Sequence, residues 1–106
     1  MTSHLKLAEV YYHNKYPGSL IFYRIGENFV AFMEDAKRAA TVLRKPIQLT
    51  ADGALSLSIV RTEFLDCVDL LSVCDIEVHG ITYRNDEGKF AIPDVKLLQE
   101  EEDMDY

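Results

Sequence analysis

Three turn signals, each set between segments rich in branched and aromatic residues, constrain the fold of this chain more than any other feature. They are Gly26-Glu27-Asn28, Ala51-Asp52-Gly53 and Asn85-Asp86-Glu87-Gly88. Glycine-containing turns between such segments are typical of tight β-hairpins. The sequence therefore predicts three hairpins, formed by residues 20–25 with 29–33, 47–50 with 55–59, and 75–83 with 89–95.

A helix is predicted before each hairpin. Residues 3–16 form the first, with Ser3 as the N-cap, and Pro17-Gly18 ends it. Its apolar side is predicted from the helical spacing of Leu7, Val10, Tyr11 and Asn14.

The second predicted helix covers residues 34–45. Its buried stripe consists of Ala36, Ala39, Ala40 and Leu43. Glu34 and Asp35 lie at its positive end, and Arg44 and Lys45 lie at its negative end, as the helix dipole favours.

The third predicted helix begins at Thr62 as its cap. Its inward side is predicted to contain Phe64, Leu65, Val68 and Leu71. Cys67 and Cys74 on this helix would lie about 10 Å apart, too far for a disulfide. Both are predicted to be small buried residues in a reducing compartment.

Alternation of helices with hairpins predicts the α+β class, a mixed β-sheet flanked by helices. The length of 106 residues indicates one domain, placed at residues 1–98. Residues 99–106 are predicted to be a disordered acidic tail.

The net charge of −7 is unevenly distributed. Residues 100–105 contain five of the eighteen acids and none of the eleven bases, so the rest of the chain has a net charge of −2. Such a tail is usually a solvated segment, and the alternative is a DNA mimic or an inhibitor of a basic face.

Several function classes lack their signatures in this sequence. No apolar run is long enough to span a bilayer and no secretory signal is visible, so we expect a cytoplasmic protein. No P-loop is present, so we expect no ATP, no cofactor and no enzymatic activity. His4, His13 and His79 are not spaced with cysteines or acids as a metal site requires.

Residues 16–26 read YPGSLIFYRIG and residues 32–43 read FMEDAKRAATVL. This run resembles the N-terminal mismatch-recognition domain, domain I, of the MutS family of DNA mismatch-repair proteins. The resemblance implies a mixed sheet with helices and a DNA-contacting turn after Gly26. The family reads mispairs with a phenylalanine and a glutamate two positions later. Those positions hold Asn28 and Val30 here, so the resemblance also implies that mismatch reading is lost.

The candidate DNA-binding residues are Asn28 and Val30 together with basic residues that could contact phosphates, namely Arg24, Lys37, Arg38, Arg44 and Lys45, with Arg61 as a possible neighbour. The alternative interpretation of the basic residues is a solvated helix face, with Arg24 in a structural ion pair. The aromatic residues Tyr11, Tyr12, Tyr16, Phe22 and Tyr23 are predicted to be core rather than a stacking platform for single strands.

Two functions remain open at this point. The chain is either a module that binds duplex DNA weakly without canonical mismatch reading, or a protein-interaction or regulatory module that does not bind DNA. The possible partners are accordingly duplex DNA and a MutS-type or other repair protein.

Overall fold

A computed structural model describes residues 2–96 of the chain. The predicted acidic tail and residues 97 and 98 lie outside the described residues. The elements in chain order are α1 Ser3–Lys15, β1 Leu20–Ile25, β2 Asn28–Phe32, α2 Met33–Leu43, β3 Gln48–Leu49, β4 Leu55–Val60, α3 Arg61–Val73 and β5 Val78–Ile81.

The five strands form one sheet in the order β3-β4-β2-β1-β5. Neighbouring strands are antiparallel except β5, which runs parallel to β1 and pairs Leu20 with Val78. The predicted α+β class, a mixed sheet flanked by helices, is confirmed.

Helices cover both faces of the sheet because successive strand residues point to opposite sides. Leu20 and Phe22 of β1 pack with α2 and α3 in one apolar cluster. Ile21 and Tyr23 pack with α1 and with Val95 near the end of the described chain in a second cluster.

The first two predicted hairpins are confirmed. Gly26 and Glu27 connect β1 to β2, and Gly26 has a φ of 59°, a conformation that glycine adopts without steric cost. Residues 50–54 connect β3 to β4 through a bond from the Thr50 amide to the Ala54 carbonyl.

The third predicted hairpin is confirmed only at its turn. The Gly88 amide donates to the Asn85 carbonyl at 2.8 Å, and one antiparallel bridge joins Arg84 to Phe90. The predicted pairing of residues 75–83 with 89–95 is wrong, because β5 pairs with β1 instead. Parallel pairing lets β5 cover the open edge of β1. Pro93 has no amide hydrogen for a continued ladder, which explains why the last segment leaves the sheet.

The buried side of α1 differs from the predicted one. Leu5, Ala8 and Tyr12 are buried, whereas Leu7 and Val10 are exposed. Both the predicted and the observed set of residues have helical spacing. Which set is buried depends on the side of α1 that faces the sheet. The predicted N-cap is also wrong, because Thr2 Oγ1 accepts the Leu5 amide hydrogen at 3.2 Å.

The predicted buried stripe of α2 is confirmed. Ala36 and Ala39 are fully buried, and Ala40 and Leu43 are partly buried and pack against the same apolar cluster. The helix ends two residues earlier than predicted, because Arg44 adopts a left-handed conformation with φ 55°.

On α3, Phe64 and Leu71 are buried as predicted, but Leu65 is 74% exposed and Cys67 takes its place. The helix begins at Arg61, one residue before the predicted cap Thr62. Cys74 is exposed, contrary to the prediction, and both cysteines are free thiols.

Within the part of the chain that the structure describes, no helix is both long and apolar enough to cross a membrane.

Phe64→Ala and Leu65→Ala give a matched test of the orientation of α3. The Phe64 ring stacks on Phe29 at 3.9 Å and meets the edge of Phe22 at 5.2 Å. Losing it should lower the free energy of unfolding by about 3 kcal/mol, whereas Leu65→Ala should cost less than about 0.5 kcal/mol. Urea denaturation measures both changes, and equal losses would contradict the observed helix orientation.

Candidate functional site

The turn between β1 and β2 lies at the surface, and both of its residues are exposed. Two backbone bonds attach it to the rest of the chain. The Arg61 amide donates to the Glu27 carbonyl at 3.0 Å, and the Gly26 amide donates to the Phe90 carbonyl at 3.2 Å. The start of α3 and the last described segment therefore meet at this turn.

Three arginines surround the turn, and we call them, with Glu27 and Phe90, the arginine cluster. The guanidinium groups of Arg24 and Arg84 lie 3.9 and 4.1 Å from the centre of the Phe90 ring. Arg61 Nε lies 2.7 Å from Glu27 Oε2. Stacking on an aromatic ring holds each guanidinium in place. Each also donates one hydrogen bond to a backbone carbonyl, Arg24 to Gly26 at 3.1 Å and Arg84 to Gly88 at 2.9 Å. Arg24 Nη2 lies 3.9 Å from Glu27 Oε1, in line with the alternative of a structural ion pair.

Glu27 is the one acid within the arginine cluster. Its hydrogen bond with Arg61, together with the positive charge of that residue, lowers the pKa of its carboxyl group. Glu27 is therefore ionised at neutral pH, and the cluster holds three positive charges against one negative charge. The turn is locally cationic although the whole chain is acidic.

Asn28 and Val30 do not lie on the turn itself. Asn28 opens β2 and is paired with Ile25 on one side and Val60 on the other. Val30 lies on the α1 side of the sheet and packs against the cluster that contains Tyr12. Neither residue projects from the exposed turn.

The predicted basic residues separate into two groups. Arg24 belongs to the arginine cluster, and Lys45 is paired at 3.6 Å with Glu63 in the first turn of α3. Arg44 is exposed beside Lys45 at the end of α2.

The other two basic residues lie near the opposite end of β1. Arg38 donates to the Gly18 carbonyl at 3.3 Å, and Lys37 is paired with Glu34 at 3.0 Å. Sequence reasoning missed Arg84 and Phe90, because Arg84 belonged to no predicted element and Phe90 was assigned to a strand paired with residues 75–83.

The aromatic residues proposed as either core or stacking platform are mostly core. Tyr12, Phe22 and Tyr23 are buried. Tyr16 is stacked on His79 at 3.8 Å, and Tyr11 packs against the second cluster.

A second group of polar residues joins α1, β1 and α2. His13 Nε2 lies 2.6 Å from Asp35 Oδ2, and its Nδ1 lies 2.7 Å from the Glu9 carbonyl oxygen. Tyr23 donates its hydroxyl hydrogen to Glu9 Oε2 at 3.1 Å, and the Ile21 amide donates to Asp35 Oδ2 at 3.2 Å. We call Glu9, His13 and Asp35 the histidine cluster.

The statement that no histidine is spaced with acids as a metal site requires is wrong for His13. One ligand atom each from Glu9, His13 and Asp35 lies within 4.8 Å of the others. The spacing of Glu9 and His13, one helical turn apart, was visible in the sequence. Asp35 was assigned to the helix dipole, and only the packing of α1 beside the start of α2 brings it to His13.

Burial dominates the electrostatics of the histidine cluster. It raises the pKa of Glu9 to about 7, and the nearby Asp35 charge adds to this effect. Burial by itself lowers the pKa of His13, but the bond to the Glu9 carbonyl and the charge of Asp35 raise it above its ordinary value. A proton is therefore retained in this cluster at neutral pH.

A comparison of the chain with models of known protein families finds no match.

Glu9→Gln tests the protonation of the histidine cluster. The folded state binds a proton at Glu9 more tightly than the unfolded state, so this contribution to stability is full below pH 4.5 and is lost as the pH rises through about 7. The wild type should lose this stability as the pH rises, and Glu9→Gln should not. The free energy of unfolding of the variant minus that of the wild type should therefore increase by about 2 kcal/mol from acidic to slightly alkaline pH. Urea denaturation across this range measures the gain, and identical pH profiles would contradict it.

Proposed function

We propose that this chain is a MutS domain I-like module that binds duplex DNA weakly through phosphate contacts and does not read mispairs. The observation that carries the proposal is the arginine cluster around the exposed β1–β2 turn. This is the turn at which the resemblance to domain I implies contact with DNA.

The chemistry of the arginine cluster suits phosphate. Guanidinium groups bind phosphate oxygens with two parallel hydrogen bonds and stay charged at any physiological pH. The Arg61 side chain is 53% exposed and Arg84 is exposed. A phosphate can approach Arg61 by replacing Glu27, since exposed ion pairs are worth only about 1 kcal/mol or less.

The surroundings of the turn support binding without mispair reading. Asn28 has no large apolar face, and Val30 packs against the apolar cluster under α1. Phe90 is the aromatic ring beside the turn, but Arg24 and Arg84 pack on it. Contacts to phosphates position a protein on DNA and carry no sequence information directly.

A specific observation favours a second candidate, a protein-interaction module. Leu65, Leu70 and Val73 are more than half exposed on the outer side of α3. Residues 62–77 contain five acids and no base. This surface repels DNA, and it fits a partner surface with apolar and basic residues on a MutS-type or other repair protein.

The proposed activity is binding alone. It requires neither a catalytic residue nor ATP, and the cytoplasm is the compartment that we propose for it.

Fluorescence anisotropy with a labelled duplex at low salt tests DNA binding. We expect weak binding that falls as salt rises, because each phosphate contact releases counterions. Arg84→Ala and Arg61→Ala should each weaken binding several-fold and reduce the salt slope by about one unit. Lys37→Ala, at the opposite end of β1, is the matched control and should change neither quantity.

A mismatched duplex of the same length should bind with the affinity of the matched one. A clear preference for the mispair would contradict the proposed loss of reading. Absence of salt-dependent binding by the folded wild type would remove the DNA-binding proposal and leave the acidic surface of α3 as the candidate.

A further inference from the structure

The histidine cluster contains a donor set that the proposed DNA binding does not use. It offers one imidazole nitrogen and two carboxylates from two helices. Glu9 and His13 lie one turn apart on α1, and Asp35 lies in the first turn of α2. Imidazole with carboxylates is a common ligand set for zinc and related divalent ions.

We propose that Glu9, His13 and Asp35 bind one divalent transition-metal ion of the Zn²⁺ class. Their ligand atoms lie within 4.8 Å of one another. Bonds of about 2.0–2.2 Å to a common ion require donor atoms about 3 Å or more apart. The 2.6 Å contact between His13 Nε2 and Asp35 Oδ2 must therefore open by a few tenths of an ångström.

The orientation of His13 supports this assignment. Its Nδ1 lies 2.7 Å from the Glu9 backbone carbonyl, so Nδ1 carries the hydrogen and donates it. That bond directs Nε2 toward Asp35. Metal-binding histidines are commonly oriented in this way, with the other ring nitrogen donating to a carbonyl or carboxylate.

Both carboxylates have partners in the fold, and Glu9 must move to reach the ion. Its Oε2 lies 3.2 Å from His13 Nδ1, so the carboxylate has to turn toward the Nε2 side. The Ile21 amide donates to Asp35 Oδ2, and the Tyr23 hydroxyl donates to Glu9 Oε2. The side chains of Asp35 and Glu9 are 5% and 12% exposed. Two buried carboxylates close together favour a cation between them, since burial penalises each charge that is not compensated.

Space and access are present at the same place. A pocket of about 250 Å³ is lined by the three residues together with Phe32, Met33 and Glu34. The His13 side chain is 38% exposed, so an ion can enter from solvent. Three protein ligands beside a pocket leave a coordination position for water.

One contact opposes cation binding. Arg38 lies 3.9 Å from Asp35 Oδ1, the oxygen that does not face His13. Its side chain is 41% exposed and can move into solvent when an ion takes its place as the counter-charge. The proton shared by His13 and Asp35 must also leave, so binding should release protons and become tighter as the pH rises.

Titration calorimetry with Zn²⁺ at slightly alkaline pH tests the proposal on the full chain. Every variant carries Cys74→Ser, which removes the exposed thiol as a competing ligand. We expect one ion per chain and at least tenfold weaker binding in His13→Gln. The matched control is His79→Gln, which removes a histidine bonded to Glu77 and should leave the affinity unchanged.

A second readout does not depend on a variant that folds. Mn²⁺ broadens the NMR signals of nearby protons, so the ring signals of His13 should disappear before those of His4 and His79. Equal Zn²⁺ affinity in His13→Gln and its parent would overturn the proposal. Broadening at His79 before His13, or no Zn²⁺ binding in the millimolar range, would assign the cluster a structural role only.

Discussion

Burial of β1 on both of its faces dictates how the helices and the other strands are arranged. Residues 20–23, four in succession, are fully buried. A strand with this pattern needs apolar cover on both faces and a hydrogen-bonded neighbour on both edges. Helices α2 and α3 cover one face and α1 covers the other, while β2 and β5 occupy the edges. The histidine cluster lies at the N-terminal end of this strand, and the arginine cluster lies at its C-terminal end.

Each site follows from how the covering elements reach β1. At the C-terminal end of β1, Arg24 lies just before the β1–β2 turn. The start of α3 and the last described segment both bond to this turn, and they bring Arg61 and Arg84 to it. At the beginning of β1, α1 and α2 meet over Ile21, whose amide bonds Asp35. That meeting places a carboxylate of α2 against the histidine of α1. One site is exposed and cationic, and the other is mostly buried and anionic.

Local patterns in the sequence predicted the elements well and their assembly less well. Gly26 and the Asp52-Gly53 pair marked two turns correctly, because their conformations are set by neighbouring residues. The predictions of which strand pairs with β5 and which side of α1 is buried were wrong. In each case the local sequence fits two arrangements equally well, and only tertiary packing selects one. The burial of Asp35 was missed for the same reason, since an acid in the first turn of a helix is favourable with or without a tertiary partner. The arginine cluster required Arg84, which reaches the β1–β2 turn through Phe90, a ring that Arg24 contacts from β1.

We propose the arginine cluster, rather than the outer side of α3, as the binding surface of this chain. An NMR titration of the isotope-labelled chain with a short duplex tests it most directly, because the amide shifts report contact residue by residue. We expect the largest changes at residues 24–28, 61, 84 and 90, and all of them should fade as salt is added. Changes concentrated at residues 65–73, or no changes in a folded chain at low salt, would contradict it.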